Sequence, residues 1–497
     1  MSTPEVRSAD LANLAGLAGL ADVVDPADLA GLPVLVAGAG TSGAAAARAL
    51  HGLGATVTVT DRSDGERMAA LAADGIATVP GVEVPPAGTA LVVTSPGWRP
   101  DHPLLVEAAR SGVPVAGEVE LAWWLGQRTA AGPVPWLALT GTNGKTTTVR
   151  MLESILRAAG LRAVATGNVG LPVVEAVLTD PPYDVLAVEL SSFQLHWSSS
   201  LRPRAAAVLN VAEDHLDWHG SMRAYAADKR RIYRPGAINI FNADEPSSRR
   251  LAEGFDGAVG FTLGPPEQGY VGVRDGVLVD RAFNRTTRQG PGDGGGGSDS
   301  GDAGTELALV SQVRPDGPHN VANALAAAAL ARAYGVPAEA VRDGLLAFVP
   351  DPHRNAVVGV VGGVTYVDDS KATNPHAAGA SLSSYRRVVW IAGGQLKGAN
   401  VDELVVTYRD RMVGVVLLGA DRDVIRDSIA RHAPGIPVLG VSATDDTAMM
   451  QVVHAAAGMA RPGDTVLLAP AAASLDMYRN YGARGDAFAT AVRELTT

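Results

Sequence analysis

LTGTNGKTTTVRMLESIL, residues 139–156, decides how the middle of this chain folds. A short apolar run (Trp136–Leu139) leads into a glycine turn, then Lys145-Thr146, then a helical pattern. A strand that ends in such a turn and opens a helix presents backbone N–H groups and a helix N-terminus to phosphate. Lys145 adds a cation for the outer phosphates, and the Thr146 hydroxyl can ligate Mg²⁺. The usual spacing has a glycine five residues before Gly144, where this chain has Leu139, so the loop is a variant. Motors, switches, kinases and ligases all use such loops, so the acceptor of the phosphate must be read elsewhere.

Alternation of short apolar runs with helical stretches continues on both sides, and 497 residues exceed what one core can hold. The expected fold class is α/β with three domains. Residues 1–124 form a Rossmann-like unit, 125–350 a central P-loop ATPase-type unit, and 351–497 a second Rossmann-like unit. Trp123-Trp124 and the Gly-Pro-Val-Pro segment at 132–135 mark the first boundary. The low-complexity stretch 286–304 is expected at a hairpin tip, between two strand-like pieces. Composition excludes several functions. The net charge of −11 disfavours a nucleic-acid binder, and the absence of cysteine excludes disulfides and thiolate metal sites. The N-terminus lacks a signal-peptide layout and no apolar run is long enough to span a bilayer, so a cytoplasmic location is expected.

Lysine usage is more informative. Lys+Arg total 41, yet only Lys145, Lys229, Lys371 and Lys397 are lysines. In a chain that uses arginine for nearly every cation, lysine should persist where a compact charge or a reactive amine is needed. All four are therefore site candidates.

Two strands of the central unit end in polar residues. Glu189 closes VLAVEL, and Asn210–His219 crowds acids and histidines after AAAVLNV. Sites in open α/β sheets lie beyond such carboxyl ends. Glu189 can face a phosphate-bound Mg²⁺ and His215 is the candidate metal ligand. In the first unit Gly38, Gly40 and Gly43, with Asp61 about 20 residues on, fit the dinucleotide fingerprint. Alone they indicate a nicotinamide oxidoreductase, but such a turn binds any pyrophosphate, including that of a UDP-sugar. A hydride-transfer enzyme has no need of a separate ATP loop and a third α/β domain.

Taken together these motifs resemble the Mur ligases, the ATP-dependent amino-acid-adding enzymes of peptidoglycan synthesis. GTNGKTT, ELSSFQL (189–195), NVAEDHLD (210–217), HNVANALAA (319–327) and PHR (352–354) are shared family features. GAGTSG (38–43), SPG (95–97), DDSKATNP (368–375) and APAAASLDMYRNY (469–481) resemble the branch that adds D-glutamate. The resemblance covers the chain apart from 286–304 and an N-terminal extension. It implies ATP and two Mg²⁺ ions as cofactors, UDP-N-acetylmuramoyl-L-alanine and D-glutamate as substrates, an acyl-phosphate intermediate and a monomer acting without membrane or nucleic acid.

It also implies residue roles. Gly141, Thr142, Asn143, Gly144, Lys145, Thr146 and Thr147 would cradle ATP. Asn320, Asn323, His353, Arg354 and Asp369 would flank it. Gly38, Gly40, Thr41, Gly43, Asp61, Arg62 and Ser95 would hold the UDP end, with Asn168 and Ser191 at the muramoyl-alanine end. Lys371, Thr373, Lys397, Ser474 and Tyr481 would surround D-glutamate. Thr146, Glu189, His215 and Lys229, the last as a carbamate, would serve metal; Lys145, Glu189, His215 and Lys229 are the catalytic set. The turn GGQLKGAN (393–400) carries Gln395-Leu396 where an acid and a glycine are commoner, and Tyr481 stands where phenylalanine is usual. Rival readings are a folylpolyglutamate-type or another Mur-type ligase, the nicotinamide oxidoreductase, and a non-catalytic P-loop switch.

Overall fold

Three parallel-rich sheets follow one another along the chain in a computed structural model, which describes residues 29–129, 132–283, 304–445 and 447–495. The N-terminal extension and nearly all of the 286–304 stretch lie outside the described residues. The flanking strands Val277–Asp280 and Thr305–Leu309 pair antiparallel, as a hairpin requires.

The first sheet is all parallel, in the order Ala77–Thr78, Thr56–Thr60, Pro33–Ala37, Leu91–Thr94, Val115–Gly117. The chain order reverses beside Pro33–Ala37, so a crevice opens between that strand's end and the end of Leu91–Thr94. Gly38 follows one strand and Ser95 the other. The central sheet has nine strands, with Trp136–Thr140 between Val185–Glu189 and Ala205–Val208. The carboxyl ends of these three adjacent parallel strands bring the phosphate loop, Glu189 and Asn210 to one edge. The third sheet has six strands. Its first two, Ala356–Val361 and Val364–Asp368, form a hairpin turned at Gly362-Gly363, both left-handed, and the remaining pairings are parallel. The observed class is the expected α/β one; this hairpin adds to the expected strands.

Helix Lys145–Ala158 buries Val149, Leu152, Ile155 and Leu156 on one face, a spacing of three to four residues that turns one stripe inward. Helix Ala338–Ala347 packs so closely on it that a methyl group on Gly344 would lie 2.3 Å from Ile155 Cα. The alanine-rich helix Pro318–Tyr334 is buried around most of its circumference beneath the central sheet.

The first and central sheets share one apolar core. A single cluster of buried side chains runs from Val34, Val59 and Leu121 to Val173, Leu186 and Tyr225. Helix Glu118–Gly126 sits at the joint, with Trp124 inside it. Trp123-Trp124, expected at a boundary, thus lie in a docked helix. Buried hydrogen bonds reinforce the joint. The Val174 N–H donates to Glu118 Oε1 (2.7 Å), those of Ser199 and Ser200 donate to Glu120 (3.0 and 3.1 Å), and that of Gly117 to the Trp197 carbonyl (3.0 Å). The third sheet has two clusters of its own.

Glu118 Oε2 is buried without a partner, and burial pushes this carboxyl up to about 7, against the pull of the Val174 N–H. A folded pKa above the unfolded value means that ionisation costs stability as pH rises from 4.5 through 7. Glu118→Gln should therefore gain on the parent protein over that window, by up to about 3 kcal/mol, and by nothing extra below pH 4.5. Denaturant titrations between pH 4 and 8 check this; a difference that does not change with pH counts against it.

Candidate functional site

Gly144 makes the phosphate loop possible. Its φ is +82°, and a Cβ there would lie 2.3 Å from Asn323 Oδ1. The loop is held open for phosphate from both sides. The Asn143 N–H donates to Asn210 Oδ1 (2.8 Å), and the Thr142 N–H to the Asn210 carbonyl (3.0 Å). Lys145 Nζ donates to the carbonyls of Gly141 (2.9 Å) and Thr142 (2.8 Å). Burial lowers its pKa, while the Glu189 and Asp214 carboxylates act to raise it.

A cavity of about 480 Å³ opens over this loop, and its far wall comes from the third unit. Fifteen of the expected residues line it. They are the loop from Thr142 to Thr147, then Asn168, Glu189, His215, Asn320 and Asn323 from the central unit, and Arg354, Asp369, Lys371 and Thr373 from the third. Glu189 is 1% exposed. Its Oε1 accepts from Asn168 Nδ2 (2.8 Å), and its Oε2 is buried without any hydrogen-bond partner. His215 adopts a left-handed φ of 54° at the cap of Leu216–His219, with its ring edge-on to Phe193 and burial lowering its pKa. Asp369 is pushed up to about 6 by burial, although Ser381 and the Asn355 N–H donate to it.

Lys229 stands behind the loop. It is 1% exposed, and its Nζ donates to the Gly141 carbonyl (2.8 Å) over the Tyr225 ring (4.5 Å). Burial first, and Lys145 second, lower its pKa well below that of a free lysine. The remaining lysines are more open. Lys371 Nζ sits 3.9 Å from the Tyr481 ring centre. Lys397 is exposed at φ 53° on a turn joined to the Ser474 segment by paired backbone bonds between Gln395 and Ala473 (2.9 Å each). Lys397, Ser474 and Tyr481 do not line the cavity. Nor does His353: its Nδ1 is taken by Asp368 (2.6 Å) and the ring packs beneath the last helix, where a Cβ on Gly485 would touch it. Of that pair, Arg354 lines the cavity.

The first unit's turn is built as tightly. A Cβ on Gly38 would lie 2.5 Å from Ser95 Oγ, and one on Gly43 would lie 1.9 Å from the Gly38 carbonyl oxygen. Asp61 accepts the N–H groups of Ala39 and Arg62 (2.7 Å each), so it braces the loop. Arg62 is exposed, and Ser191 caps helix Ser192–His196 through a reciprocal bond pair with Gln194.

Several lining residues escaped the sequence reading. Asn374 and His376 reach from the third unit to Asn143: Asn374 Nδ2 donates to Asn143 Oδ1 (3.1 Å), and Asn143 Nδ2 lies 2.9 Å from His376 Nδ1. Asn374 Nδ2 also reaches Asp214 (3.4 Å). His319 points a partnerless buried Nδ1 inward, and burial lowers its pKa to about 4. Among the described residues no group of three or more histidines and acids forms a metal cage. Mg²⁺ commonly takes one or two carboxylates and completes its shell with phosphate and water. The orphaned Glu189 oxygen suits that pattern.

The Mur ligase middle domain family matches residues 139–264, and the Mur ligase glutamate ligase domain matches 353–472. The chain belongs to the Mur ligase family. Within it, the chain is 55% identical to the UDP-N-acetylmuramoylalanine–D-glutamate ligase of Streptomyces coelicolor, over 93% of this chain and 97% of that one. It is 56% identical to the protein of the same name from Thermobifida fusca, over 93% and 98%. Among solved structures, the UDP-N-acetylmuramate-alanine ligase of Thermotoga maritima shares the fold at TM-score 0.56 and 19% identity, over 93% of this chain and 99% of that one. A pseudomurein peptide ligase from Methanothermus fervidus does so at 0.57 and 17%, with the same coverage.

Gly144→Ala is expected to fold yet bind an ATP analogue at least about tenfold more weakly, since a strained left-handed alanine and its clash with Asn323 fall on the loop itself. Calorimetric titration of the folded variant measures this; unchanged affinity would show that the loop tolerates a side chain.

Proposed function

We propose that this protein joins D-glutamate to UDP-N-acetylmuramoyl-L-alanine, converting ATP to ADP and phosphate through an acyl phosphate, in peptidoglycan precursor synthesis. One observation carries the reading: the phosphate loop and the glutamate ligase domain face each other across one cavity, with Lys145 and Lys371 both on its wall. A switch or motor has no use for such an opposing domain. A nicotinamide oxidoreductase likewise has no use for a separate phosphate loop that faces a third domain.

A carboxylate is a poor electrophile, so the alanyl carboxylate oxygen first attacks the γ-phosphorus and ADP leaves. The amine of D-glutamate then attacks the acyl carbon, and phosphate departs as the amine loses a proton. The loop N–H groups and Lys145 orient the phosphates and offset charge developing on the transferring group. Lys145 exchanges its two loop carbonyls for phosphate oxygens as the nucleotide enters. Asn320, Asn323 and Arg354 line the nucleotide side, with Asp369 beside Arg354. Asn168 and Ser191 serve the muramoyl-alanine end, and the Gly38–Gly43 turn with Thr41, Asp61, Arg62 and Ser95 serves UDP. Lys371, Thr373, Lys397, Ser474 and Tyr481 supply the D-glutamate pocket. The third unit excludes water from the acyl phosphate when it closes.

Mg²⁺ ions bound by Thr146, Glu189, His215 and Lys229 would supply Lewis-acid charge neutralisation at the phosphoryl group. We assign two such ions to the site. Lys229 takes part as a carbamate. Its buried position favours the free amine, which adds CO₂ and releases a proton, replacing a cation with the oxygen anion that hard Mg²⁺ prefers. We assign the work to the cytoplasm, where ATP is available, and to a monomer.

The direct test is phosphate release by the purified protein, assayed across an amino-acid panel. Release that requires both UDP-N-acetylmuramoyl-L-alanine and D-glutamate is expected; release with another amino acid, or without the UDP substrate, refutes the assignment. Lys229→Arg is expected to fold and lose activity, and Lys229→Ala to regain part of it when a small carboxylate such as formate is added. Normal turnover by Lys229→Arg in CO₂-depleted buffer would remove the carbamate from the mechanism.

A further inference from the structure

Beside the cavity, three short segments that carry the candidate metal residues meet through a buried polar chain. Ser192 opens helix Ser192–His196, three residues after Glu189. His219 ends the turn that His215 caps. Asp228 precedes Lys229 on helix Met222–Arg230. Their side chains join end to end: Ser192 Oγ lies 3.0 Å from His219 Nε2, and His219 Nδ1 lies 3.0 Å from Asp228 Oδ2. A carboxylate only accepts, so His219 Nδ1–H donates to Asp228, and in the neutral ring Nε2 is left to accept the Ser192 hydroxyl. Asp228 also accepts from His196 Nδ1 (3.0 Å) and Arg231 Nε (3.1 Å).

The order serine, histidine, aspartate is that of a hydrolase triad, but burial rules that use out. Ser192 is 3% exposed, Asp228 5%, and the His219 side chain 0%. The His219 ring is stacked parallel on Phe193 at 5.4 Å, and Tyr225 lies 5.1 Å away. No substrate carbonyl can reach the serine. What the chain does reach is the geometry of its neighbours. Asp228, gripped by three donors, fixes the rotation of the helix that aims Lys229 at Gly141. His219, through its backbone bond to the His215 carbonyl (3.1 Å), ties down the turn that begins at His215. Ser192 anchors the segment that leaves Glu189.

We propose that Ser192, His219 and Asp228 form a buried positioning relay that holds Glu189, His215 and Lys229 in register, so that the divalent-cation site is aligned by side chains that never touch the cation. The proposal rests on the cation reading given under Proposed function. Outer partners of this kind are typically worth about 10–100-fold in metal affinity.

The test is Mn²⁺ binding in the presence of a non-hydrolysable ATP analogue, followed by electron paramagnetic resonance on the full-length protein. Ser192→Ala removes one oxygen, His219→Phe keeps the ring and loses both bonds, and His219→Asn keeps a donor for Asp228. Tyr233→Phe, which loses a buried bond to the Ile240 carbonyl elsewhere in the same unit, controls for general loosening. Ser192→Ala and His219→Phe are expected to bind Mn²⁺ about tenfold more weakly at unchanged analogue affinity. His219→Asn should recover part of that loss, and Tyr233→Phe should lose stability but no Mn²⁺ affinity. In turnover, kcat should fall while the KM for D-glutamate holds. Wild-type Mn²⁺ affinity in Ser192→Ala, or in folded His219→Phe, overturns the relay, as does an equal loss in Tyr233→Phe. Failure of the parent protein to bind Mn²⁺ with the analogue present would overturn the cation reading and the relay with it, and is told apart because no variant is involved.

Discussion

Two lysines donate to one carbonyl oxygen. Lys145 and Lys229 both reach the oxygen of Gly141, at 2.9 and 2.8 Å. Two full charges on one acceptor in a desolvated place are costly, and burial with mutual repulsion moves Lys229 toward its neutral form. The loop and the two lysines are therefore one electrostatic unit. Glu189 and Asp214 moderate it by opposing the lowering of both lysines' pKa. A change of charge at Lys229 therefore changes the field at Lys145.

Much of this arrangement was legible because it depends on chain-local signals. Hydrophobic runs that stop at Glu189 and Asn210 mark strand ends, and parallel pairing around Trp136–Thr140 puts those ends side by side. The lysine count rests on a chemical reason: where arginine fills the generic cationic positions, a retained lysine marks a need that arginine cannot meet. Lys145 and Lys371 line the cavity and Lys229 lies directly beneath its loop.

What escaped reading is set by distance along the chain or by side-chain direction. Asn143 and Asn374 are 231 positions apart, and no local pattern reports that they touch. The PHR segment brings Arg354 to the cavity, but which way His353 turns is decided by Asp368, whose carboxylate holds the ring away from the cavity. His219 looks like part of an acid-and-histidine cluster until its partners Ser192 and Asp228 are known. The Gly362-Gly363 hairpin hides because Val357 and Val360 on its outer strand are exposed, so the strand lacks a clear buried alternation.

The three units are joined unequally. The first and central sheets share a continuous apolar core, with Glu118, Glu120 and Gly117 bonded across the joint in buried surroundings. Separating them would expose that core and strand two buried carboxylates. The third unit keeps its own cores and meets the central one at the cavity through polar side chains such as Asn374, Asn143, His376 and Glu245. Such contacts can be exchanged for water at little cost, whereas a shared apolar core cannot. Motion between units therefore falls on the third unit, while the first keeps a fixed distance from the phosphate loop.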